Sequence, residues 1–579
     1  MRLELLEPAW APLVVMACTG FAFLVPALLA LLGRLALHTL ARRLGRTSTT
    51  FATSGLSPSA SLVASLGSLA LFWTVLFVVG DLVVSLAYRH ESPGALLAAR
   101  SLGALGAGAL AWWLARRAAL RAPRDGLPRA RAIALGVGVL GLVAFGAARI
   151  TAPTPAPPRP TIPAPPELAI RDTGLRVLLI GLDAATWKVV TPMAVAGELP
   201  AIASLEARGA TSTVHAPPPR LSPVNWTTIL TGRPEQEHGI HDYVHVALPG
   251  VPSFPFENML RDRALLPFAF ATLGEQQLGL AVGNPPPSTA VRTRALPHML
   301  AAGNRSSLVL GMPCTWPVEP LPGLVVSNRY MPGEFDTFGH EGPPPGRLHP
   351  PDAEASLSAL RVDSGGDPAP MLRKLGIVDD ASIAELATWR YTRLNHLPMR
   401  LMADIHDSDE TFFDVLEARW PSGEFGFGAA LVNGIDVFTH AFWEERYPEE
   451  FGHPKSQHPE WGKLIGAYHR LVDARLGALL ARLDPRTVVI VLSDHGMEAS
   501  PGNLVWPGWH SEEGIFMAAG APIRRGARVE RVDFLDVAPT VLHLLGYPVP
   551  RDLKGRVLEE ILEPEFLARF PVRSIASYE

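Results

Sequence analysis

Three short runs of aliphatic residues along the chain each end in a carboxylate. The runs occupy residues 175–182, 429–435 and 488–492, and they lead to Asp183, Asp436 and Asp494. Continuous apolar runs of this length, cut off by polar residues, are typical of strands buried on both faces of a parallel sheet. In open α/β sheets the functional side chains gather outside the carboxyl ends of such strands. A turn or helix cap would explain any one of these aspartates, but three of them, with His495 attached, favour a metal site.

Strand and helix patterns alternate from residue 169 to residue 579, which predicts an α/β domain with a central, mostly parallel sheet. Further strands are expected at residues 211–215, 306–311, 324–327 and 514–519. Helical periodicity covers residues 192–208 and 536–545. The stretch around 351–420 has the pattern of several helices and few strand signals, so we expect a helical insertion that covers the sheet.

The first 150 residues carry a different pattern, with four long apolar stretches. Residues 11–33, 62–85, 94–115 and 132–148 are candidate transmembrane helices, because about 20 apolar residues span the hydrocarbon core of a bilayer. An uncleaved first span is preferred over a signal peptide, since only Arg2 precedes it as a basic residue.

Arginines set the expected topology of these spans. They cluster in the first and third connecting loops, which the positive-inside rule places in the cytoplasm. The chain is therefore expected to be a multi-pass protein of the cell membrane, with the domain from residue 169 onward periplasmic or extracellular.

Composition agrees with this division. The mean hydropathy of +0.19 is high for a soluble enzyme, and residues 151–168 are a proline-rich linker of the kind that acts as a semi-rigid spacer. The net charge of −4 gives no reason to expect nucleic-acid binding. Of the two cysteines, Cys18 lies in the first predicted span and Cys314 in the outer domain, so that domain has no internal disulfide.

Two histidines accompany the carboxylates. Asp436 and His440 are four residues apart and would share one face of a helix that starts after the strand. His510 follows a loop that contains Gly508 and Trp509. A metal ligand is the functional interpretation of His510, and a packed core histidine is the alternative.

A hydroxyl-rich segment lies between the first and second carboxylates. Residues 221–232 pass from a turn into a predicted helix, and a helix N-terminus can bind an anion. Ser222 is either a nucleophile there or a plain helix cap. Because Ser222 precedes Pro223, its backbone is expected outside the helical region. Thr227, Thr228 and Thr231 lie deeper in the helix, where hydroxyls can bond to carbonyls four residues earlier.

The order of these pieces resembles the alkaline phosphatase superfamily, in particular the type I phosphodiesterases and nucleotide pyrophosphatases. The resemblance covers about residues 172–560. It rests on motifs whose order and spacing are more specific than any one of them: Gly181-Leu182-Asp183, residues 222–232 with His238-Gly239-Ile240, Asp436-x-x-x-His440, Ser493-Asp494-His495-Gly496, Gly508-Trp509-His510 before Gly514-Ile515-Phe516, and residues 536–540.

The resemblance implies an alkaline-phosphatase-like three-layer α/β/α sandwich with two adjacent divalent ions. Carried over by residue, Asp183, Ser222, Asp494 and His495 would hold one ion. Asp436, His440 and His510 would hold the other. This histidine-rich set suits zinc better than magnesium. Ser222 stands where the family has its nucleophile, and Asn225 is the second candidate catalytic residue.

The expected activity is hydrolysis of phosphodiester or phosphomonoester bonds outside the membrane, through a covalent phospho-serine. The substrate would be a phosphate ester, which could be linked to a lipid or to the cell envelope. The alternative is a transferase that moves a phospho-headgroup from a membrane lipid to an envelope glycan. A third interpretation is an inactive receptor domain, against which the complete ligand set argues.

The sequence departs from the family's pattern at one position near the nucleophile. Nucleotide pyrophosphatases carry an asparagine shortly after the His-Gly-Ile element, and this chain has Asp242 and Tyr243 there. A preference for nucleotides therefore does not follow from the resemblance. Sulfatases need a Cys-x-Pro-x-Arg or Ser-x-Pro-x-Arg context, which the segment from Ser222 to Trp226 does not provide.

Overall fold

The computed structural model describes residues 168–248, 251–255, 282–331, 345–388, 399–501 and 506–579. The four predicted spans and nearly all of the proline-rich linker lie outside these residues. Within the described residues no single helix is both long and apolar enough to cross a membrane. Two helices, Trp187–Val195 and Pro200–Arg208, reach that length and composition only when taken together, and they are bent by 96°.

The elements are numbered in chain order. The strands are β1 (Arg176–Leu182), β2 (Ala210–His215), β3 (His245–Leu248), β4 (Val251–Pro255), β5 (Val282–Asn284), β6 (Ser307–Leu310), β7 (Gly323–Val326), β8 (Leu348–His349), β9 (Phe427–Val432), β10 (Thr487–Leu492), β11 (Gly496–Ala499), β12 (Gly508–Ser511), β13 (Glu513–Ala519), β14 (Arg528–Asp533), β15 (Val549–Pro550) and β16 (Ser574–Ile575).

The α-helices are α1 (Trp187–Val195), α2 (Pro200–Arg208), α3 (Ser222–Thr231), α4 (Glu235–His238), α5 (Leu296–Ala301), α6 (Glu354–Ser358), α7 (Ala369–Lys374), α8 (Asp380–Thr388), α9 (Met399–Arg419), α10 (Gly434–Arg446), α11 (Pro459–Leu480), α12 (Val537–Leu544) and α13 (Pro564–Arg569). Short 3-10 segments lie at Ser288–Ala290, Pro351–Ala353, Trp420–Ser422, Pro448–Phe451, Phe534–Asp536 and Glu559–Ile561.

A nine-stranded sheet organises the domain, with the strand order β14-β2-β13-β10-β1-β9-β6-β7-β8. The run from β10 through β1, β9 and β6 to β7 is parallel throughout. Strand β13 pairs antiparallel with both β10 and β2, and β8 closes the other edge antiparallel to β7. The prediction of an α/β fold with a large, mostly parallel central sheet is confirmed.

Helices cover both faces of this sheet, which explains the continuous apolar runs. Alternate residues of β1 enter different cores: Leu178 and Ile180 pack on one side, and Val177 and Leu179 on the other. The first core receives residues of α1, α2, α9, α10 and α11, and the second receives residues of α3, α5 and α12. Each fully buried aliphatic side chain contributes about 1.5–3 kcal/mol, so the two faces together hold the central strands firmly.

One predicted element is wrong in detail. Residues 192–208 were expected to form one helix, but α1 ends at Val195 and α2 starts at Pro200. Between them Gly197 adopts φ +77°, a left-handed conformation that terminates helices. Pro200 then occupies the first turn of α2, where its missing N–H costs no hydrogen bond.

Helices α6 to α9 lie in the stretch between residues 351 and 419. Strands β3, β4 and β5 form a separate three-stranded antiparallel sheet, in which β3 pairs with both neighbours. These three strands belong to a second compact unit of the chain.

Candidate metal centre and nucleophile

The topology places three carboxylates at one edge of the sheet. Strand β1 lies between β10 and β9 and runs parallel to both. Asp183 follows β1, Asp494 and His495 follow β10, and Asp436 lies in the first turn of α10 just after β9. His495 Nε2 is 3.4 Å from Asp183 Oδ1 and 3.5 Å from Asp494 Oδ2. Three of the predicted ligands are therefore neighbours in space.

The remaining predicted ligands gather beside them. In helix α10, Asp436 Oδ1 lies 3.3 Å from His440 Nε2, as expected for two side chains four residues apart. The hairpin of β11 and β12 returns the chain to His495 and delivers His510, whose Nε2 is 2.9 Å from His440 Nε2. The rings of His495 and His510 stack with their centroids 3.7 Å apart.

The grouping differs from the one carried over from the resemblance. Two sets of three side chains have ligand atoms within 4.8 Å of one another: Asp183, Asp494 and His495, and Asp436, His495 and His510. His495 therefore belongs to both sets and lies between them. His440 adjoins the second set through its contacts with Asp436 and His510.

Backbone carbonyls fix the orientation of all three histidine rings. The Nδ1 atoms lie 2.8 Å from the Gly508 carbonyl for His440, 2.6 Å from the Arg220 carbonyl for His510 and 3.0 Å from the Gly496 carbonyl for His495. A carbonyl can only accept, so each Nδ1 carries the proton and each Nε2 presents a lone pair to the site. This arrangement is typical of metal-binding histidines, whose other nitrogen is held by a neighbouring group.

The carboxylates lack the donors that buried acids normally have. Both oxygens of Asp494 and Oδ1 of Asp436 are buried without a hydrogen-bond partner. Burial raises the pKa of Asp183 and of Asp494, and repulsion by the neighbouring carboxylates adds to it. Burial would also raise the pKa of Asp436, but the adjacent His440 and His495 together outweigh burial and lower that pKa. Unpartnered carboxylate oxygens facing imidazole lone pairs fit divalent cations, because such cations satisfy both kinds of ligand.

Ser222 lies against the first set of ligands. Its Oγ is 3.3 Å from Asp183 Oδ1 and 3.3 Å from His495 Nε2. Helix α3 starts at Ser222 itself, with Leu221 extended before it and Pro223 in the first turn, so the prediction that Ser222 lies outside the helix is wrong by one residue. A proline is tolerated there because N–H groups of the first turn have no partner within the helix.

The threonines of α3 behave as predicted. The hydroxyls of Thr227, Thr228 and Thr231 donate to the carbonyls of Pro223, Val224 and Thr227, at 2.6, 3.0 and 2.7 Å. They are thereby engaged within the helix. Among the hydroxyls of α3, the one on Ser222 contacts the ligand set.

Two other residues of α3 hold the ligands in place. The Asn225 amide donates to the Asp494 carbonyl at 2.9 Å, so this candidate catalytic residue contacts the turn that carries Asp494 and His495. The Trp226 indole donates to Asp183 Oδ2 at 3.1 Å. Since Asp183 Oδ1 faces Ser222, both oxygens of this carboxylate are oriented by α3.

Three contributors were missed from the sequence: Trp226, Tyr243 and Asp409. The Tyr243 hydroxyl donates to Ser222 Oγ at 2.7 Å. Asp409 of α9 accepts from the backbone N–H groups of Asn433 and Gly434, at 2.9 and 2.8 Å, and so supports the first turn of the helix that carries Asp436. In the sequence, Asp242 and Tyr243 stand out only as a departure from a family pattern.

Basic and histidine side chains near the nucleophile segment face other partners. The Arg220 guanidinium lies 3.5 Å from Glu512, and its Nε donates to the Ala216 carbonyl. His215 pairs with Glu512 and His241 with Glu235. His238 Nε2 lies 3.0 Å from the Thr228 hydroxyl. These three histidines therefore pair with side chains outside the ligand set.

A cleft leads to the nucleophile. None of the described residues that line it is lysine or arginine. One wall comes from helix α9, whose residues 405, 408, 409 and 412 share a face. The lining consists of Asp183, Ser222, Pro223, Tyr243, Gly311, Pro313, Asn328, Met331, Ile405, Ser408, Asp409, Phe412, Leu431, Asn433, Asp436 and Val437.

Comparison with known protein families agrees with this geometry. Residues 177–532 match the family described as type I phosphodiesterase / nucleotide pyrophosphatase, which is more than half of the chain. The chain belongs to this family. Membership indicates a hydrolase, in a family that depends on metal. No curated protein matches the chain significantly in sequence.

Solved structures to which the chain is similar share little sequence with it. The phosphonate monoester hydrolase SpPMH from Silicibacter pomeroyi is 16% identical, over 67% of this chain and 76% of its own, with a TM-score of 0.35. Murine ectonucleotide pyrophosphatase / phosphodiesterase 5, solved as an inactive variant in complex with AMP, is 13% identical, over 67% and 100%, with a TM-score of 0.38. Alkaline phosphatase PafA is 11% identical, over 68% and 100%, with a TM-score of 0.41.

Proposed function

We propose that this protein is a membrane-anchored phosphodiesterase that uses two divalent ions, with zinc as the favoured metal, and Ser222 as its nucleophile. One observation carries the proposal. The Ser222 hydroxyl lies 3.3 Å from both Asp183 and His495, at the edge of a donor set that has unpartnered carboxylate oxygens and inward lone pairs. A serine that only capped the helix would not need to lie beside such a set of metal-ligand side chains.

The residues present suit two adjacent metal sites, with His495 close to both. Asp183, Asp494, His495 and Ser222 would hold one ion, and Asp436, His440 and His510 the other. Imidazole and carboxylate ligands in these proportions favour zinc. When bound, such ions would lower the pKa of the Ser222 hydroxyl and stabilise charge on the leaving oxygen.

The protein's own residues then carry the two displacements. Ser222 gives its hydroxyl proton to water and its Oγ forms a bond to phosphorus. The bond from phosphorus to the leaving oxygen breaks, and that oxygen takes a proton from water. Water next attacks the phospho-serine, the bond between phosphorus and Oγ breaks, and Ser222 regains a proton. Trp226 and Asn225 keep Asp183 and the Asp494 turn in place during both steps, which matters because positioning and electrostatics dominate phosphoryl transfer.

Charge balance in the cleft favours diesters over monoesters. Two divalent ions would just neutralise Asp183, Asp436, Asp494 and an ionised Ser222. No lysine or arginine of the described lining supplies further positive charge. A phosphodiester carries one negative charge and a monoester carries two near neutral pH, so the monoester would meet an uncompensated charge in a partly buried site.

Hydrolysis of chromogenic esters tests this proposal. Full-length purified protein with added Zn²⁺ should hydrolyse bis(4-nitrophenyl) phosphate with a kcat/KM at least about tenfold above that for 4-nitrophenyl phosphate, which corresponds to about 1.4 kcal/mol of charge discrimination. The 4-nitrophenyl phosphoryl group should be trapped on Ser222, as located by mass spectrometry. A preference for the monoester would refute the charge argument, and activity on 4-nitrophenyl sulfate alone would refute the proposed function.

The acceptor can be tested in the same assay. If added glycerol captures the phosphoryl group in preference to water at low concentration, transfer to a hydroxyl acceptor is the reaction, as in the headgroup-transferase alternative. If the only products are inorganic phosphate and the monoester, water is the acceptor.

The proposed anchor rests on the sequence of residues 1–150. Four apolar stretches and the arginines of the first and third loops support a multi-pass anchor with the catalytic domain outside. Protease added to intact cells, or to spheroplasts where an outer membrane exists, should then release the domain that follows residue 150. Protection of that domain until the membrane is lysed would contradict this topology.

A further inference from the structure

We propose that Tyr243 is a catalytic residue of this site, whose phenol first holds the Ser222 hydroxyl and then donates to an unesterified oxygen of the phosphoryl group. The inference rests on the proposed function and adds to it the group that contacts the reacting atoms. It assigns a role to the position at which this chain departs from the asparagine of the enzymes it resembles.

The contact is made to both the backbone and the side chain of the nucleophile. The Tyr243 hydroxyl donates to Ser222 Oγ at 2.7 Å and accepts from the Ser222 N–H at 3.3 Å. Ser222 Oγ in turn donates to Asp183, so the phenol is the donor in its contact with Oγ. A donor at this distance orients an Oγ lone pair and leaves the Ser222 hydroxyl free to lose its proton.

The helix N-terminus supplies few other donors to an anion. Pro223 has no N–H, the Ser222 N–H is used by Tyr243, and the Asn225 N–H donates to the Leu221 carbonyl at 2.9 Å. The Asn225 side chain donates to the Asp494 carbonyl. The anion site expected at the start of α3 is thus largely committed to internal contacts, and the phenol provides a donor there instead.

Bonding geometry lets one phenol serve both stages. The unesterified oxygens of a phosphoryl group bonded to Ser222 lie one bond angle away from Oγ. A hydroxyl within hydrogen-bond distance of Oγ needs only a small rotation to reach one of them. The phenol keeps its proton throughout, and a neutral donor suits a cleft whose described lining has no lysine or arginine.

The matched test compares Tyr243→Phe with Tyr547→Phe. Tyr243 is half-buried and Tyr547 is buried, and the Tyr547 hydroxyl donates to the Leu300 carbonyl at 2.8 Å on the opposite side of the sheet from α9 and α10. Each change removes one hydroxyl and keeps the ring. Both variants are made in the full-length protein, loaded with Zn²⁺, and checked for metal content and melting temperature.

Tyr243→Phe should lower kcat for bis(4-nitrophenyl) phosphate about 100-fold, as expected for loss of one preorganised donor, while KM changes by less than about threefold. It should weaken binding of orthovanadate, a mimic of the pentacoordinate transition state, by a similar factor. Tyr547→Phe should lower the melting temperature and leave kcat, KM and vanadate affinity unchanged. A purely structural Tyr243 would lower the melting temperature alone.

The two measurements separate the inference from the proposed function. Unchanged kcat and unchanged vanadate affinity in Tyr243→Phe would overturn the role of Tyr243. If the wild type hydrolyses no phosphate ester but Tyr243→Phe still weakens vanadate binding, the proposed reaction fails and the contact between Tyr243 and a bound oxyanion is supported. A wild type that binds no vanadate with zinc present would refute both.

Discussion

Replacement of Trp226 by phenylalanine should weaken metal binding although Trp226 is not a ligand. The indole N–H donates to Asp183 Oδ2 at 3.1 Å, and the side chain is completely buried. A glycine in β1 makes this contact possible, because a Cβ on Gly181 would lie 2.4 Å from the Trp226 ring. Glycine is unfavourable within a strand, so its presence two residues before Asp183 is explained by the indole that orients this carboxylate.

Two independent estimates give the size of the effect. Loss of a group that orients a metal ligand typically lowers metal affinity 10- to 100-fold. A hydrogen bond to a charged group contributes about 1.5–3 kcal/mol, which corresponds to about 10- to 150-fold in affinity. Because Asp183 must be ionised to bind a cation, and burial raises its pKa, loss of the indole N–H should be felt mainly in the ionised form.

A second buried tryptophan provides the control. Trp420 is also completely buried, and its indole nitrogen has no hydrogen-bond partner among the described residues. Trp420→Phe therefore removes the same atoms without removing a hydrogen bond. Both variants should lose stability from the space left behind, and that common loss is seen in their melting temperatures.

The assay is competition for Zn²⁺ against a chromophoric chelator, in full-length protein at fixed pH. We expect Trp226→Phe to lower the affinity for one of two zinc ions by about 10- to 100-fold. Trp420→Phe should leave the affinities for both ions unchanged. Zinc affinities unchanged from the wild type in both variants would show that the indole N–H does not act through Asp183. A drop of the same size in both would show that packing, not the hydrogen bond, controls the site.

The remaining predictions concern the nucleophile, the second metal and a buried acid. Ser222→Ala should reduce turnover by orders of magnitude. Thr227→Ala should reduce turnover little, because the Thr227 hydroxyl donates to a carbonyl within the helix. Phosphate found on Thr227 by mass spectrometry would contradict this prediction. His440→Ala should bind about one zinc fewer per chain, as measured by elemental analysis. His453 is exposed, so His453→Ala should lose no zinc. Burial raises the pKa of Asp409 from 3.8 to about 7, so its stabilising contribution is complete below about pH 4 and is lost as the pH rises to about 7. Over this pH range the free energy of unfolding of the wild type should fall by roughly 4 kcal/mol relative to that of Asp409→Asn, as measured by denaturant titration. A difference in stability between the two proteins that does not change with pH would refute this prediction.

Much of the framework could be predicted because its signal is local. Strands β1, β9 and β10 are adjacent, parallel and buried on both faces, so each appears in the sequence as an uninterrupted apolar run. Each must stop where the sheet ends, and the carboxylate that follows marks that point. The pairing of Asp436 with His440 followed from helical spacing alone.

The rest depends on contacts between distant parts of the chain, which periodicity does not encode. Tyr243 lies 21 residues from Ser222 in a segment without regular structure. Asp409 supports α10 from a helix in the stretch that was expected only to cover the sheet. His495 adjoins both ligand sets because the hairpin of β11 and β12 folds His510 back onto it, and strand pairing of that kind is not visible in the apolar pattern.

The features that the sequence pattern did not reveal share a physical role: they orient groups whose identity it did reveal. Asp183, Ser222 and the three histidines are recognisable because metal and phosphoryl chemistry require those residue types. Their orientation depends on an indole, a phenol and several carbonyls, and many residue types could supply such contacts. A phosphoryl-transfer site can therefore keep its ligands while it changes the groups that hold them. In this chain that freedom is used at Tyr243, where a neutral hydroxyl contacts the nucleophile in a cleft whose described lining has no basic side chain. A neutral donor in such a cleft suits a phosphoryl group with a single negative charge.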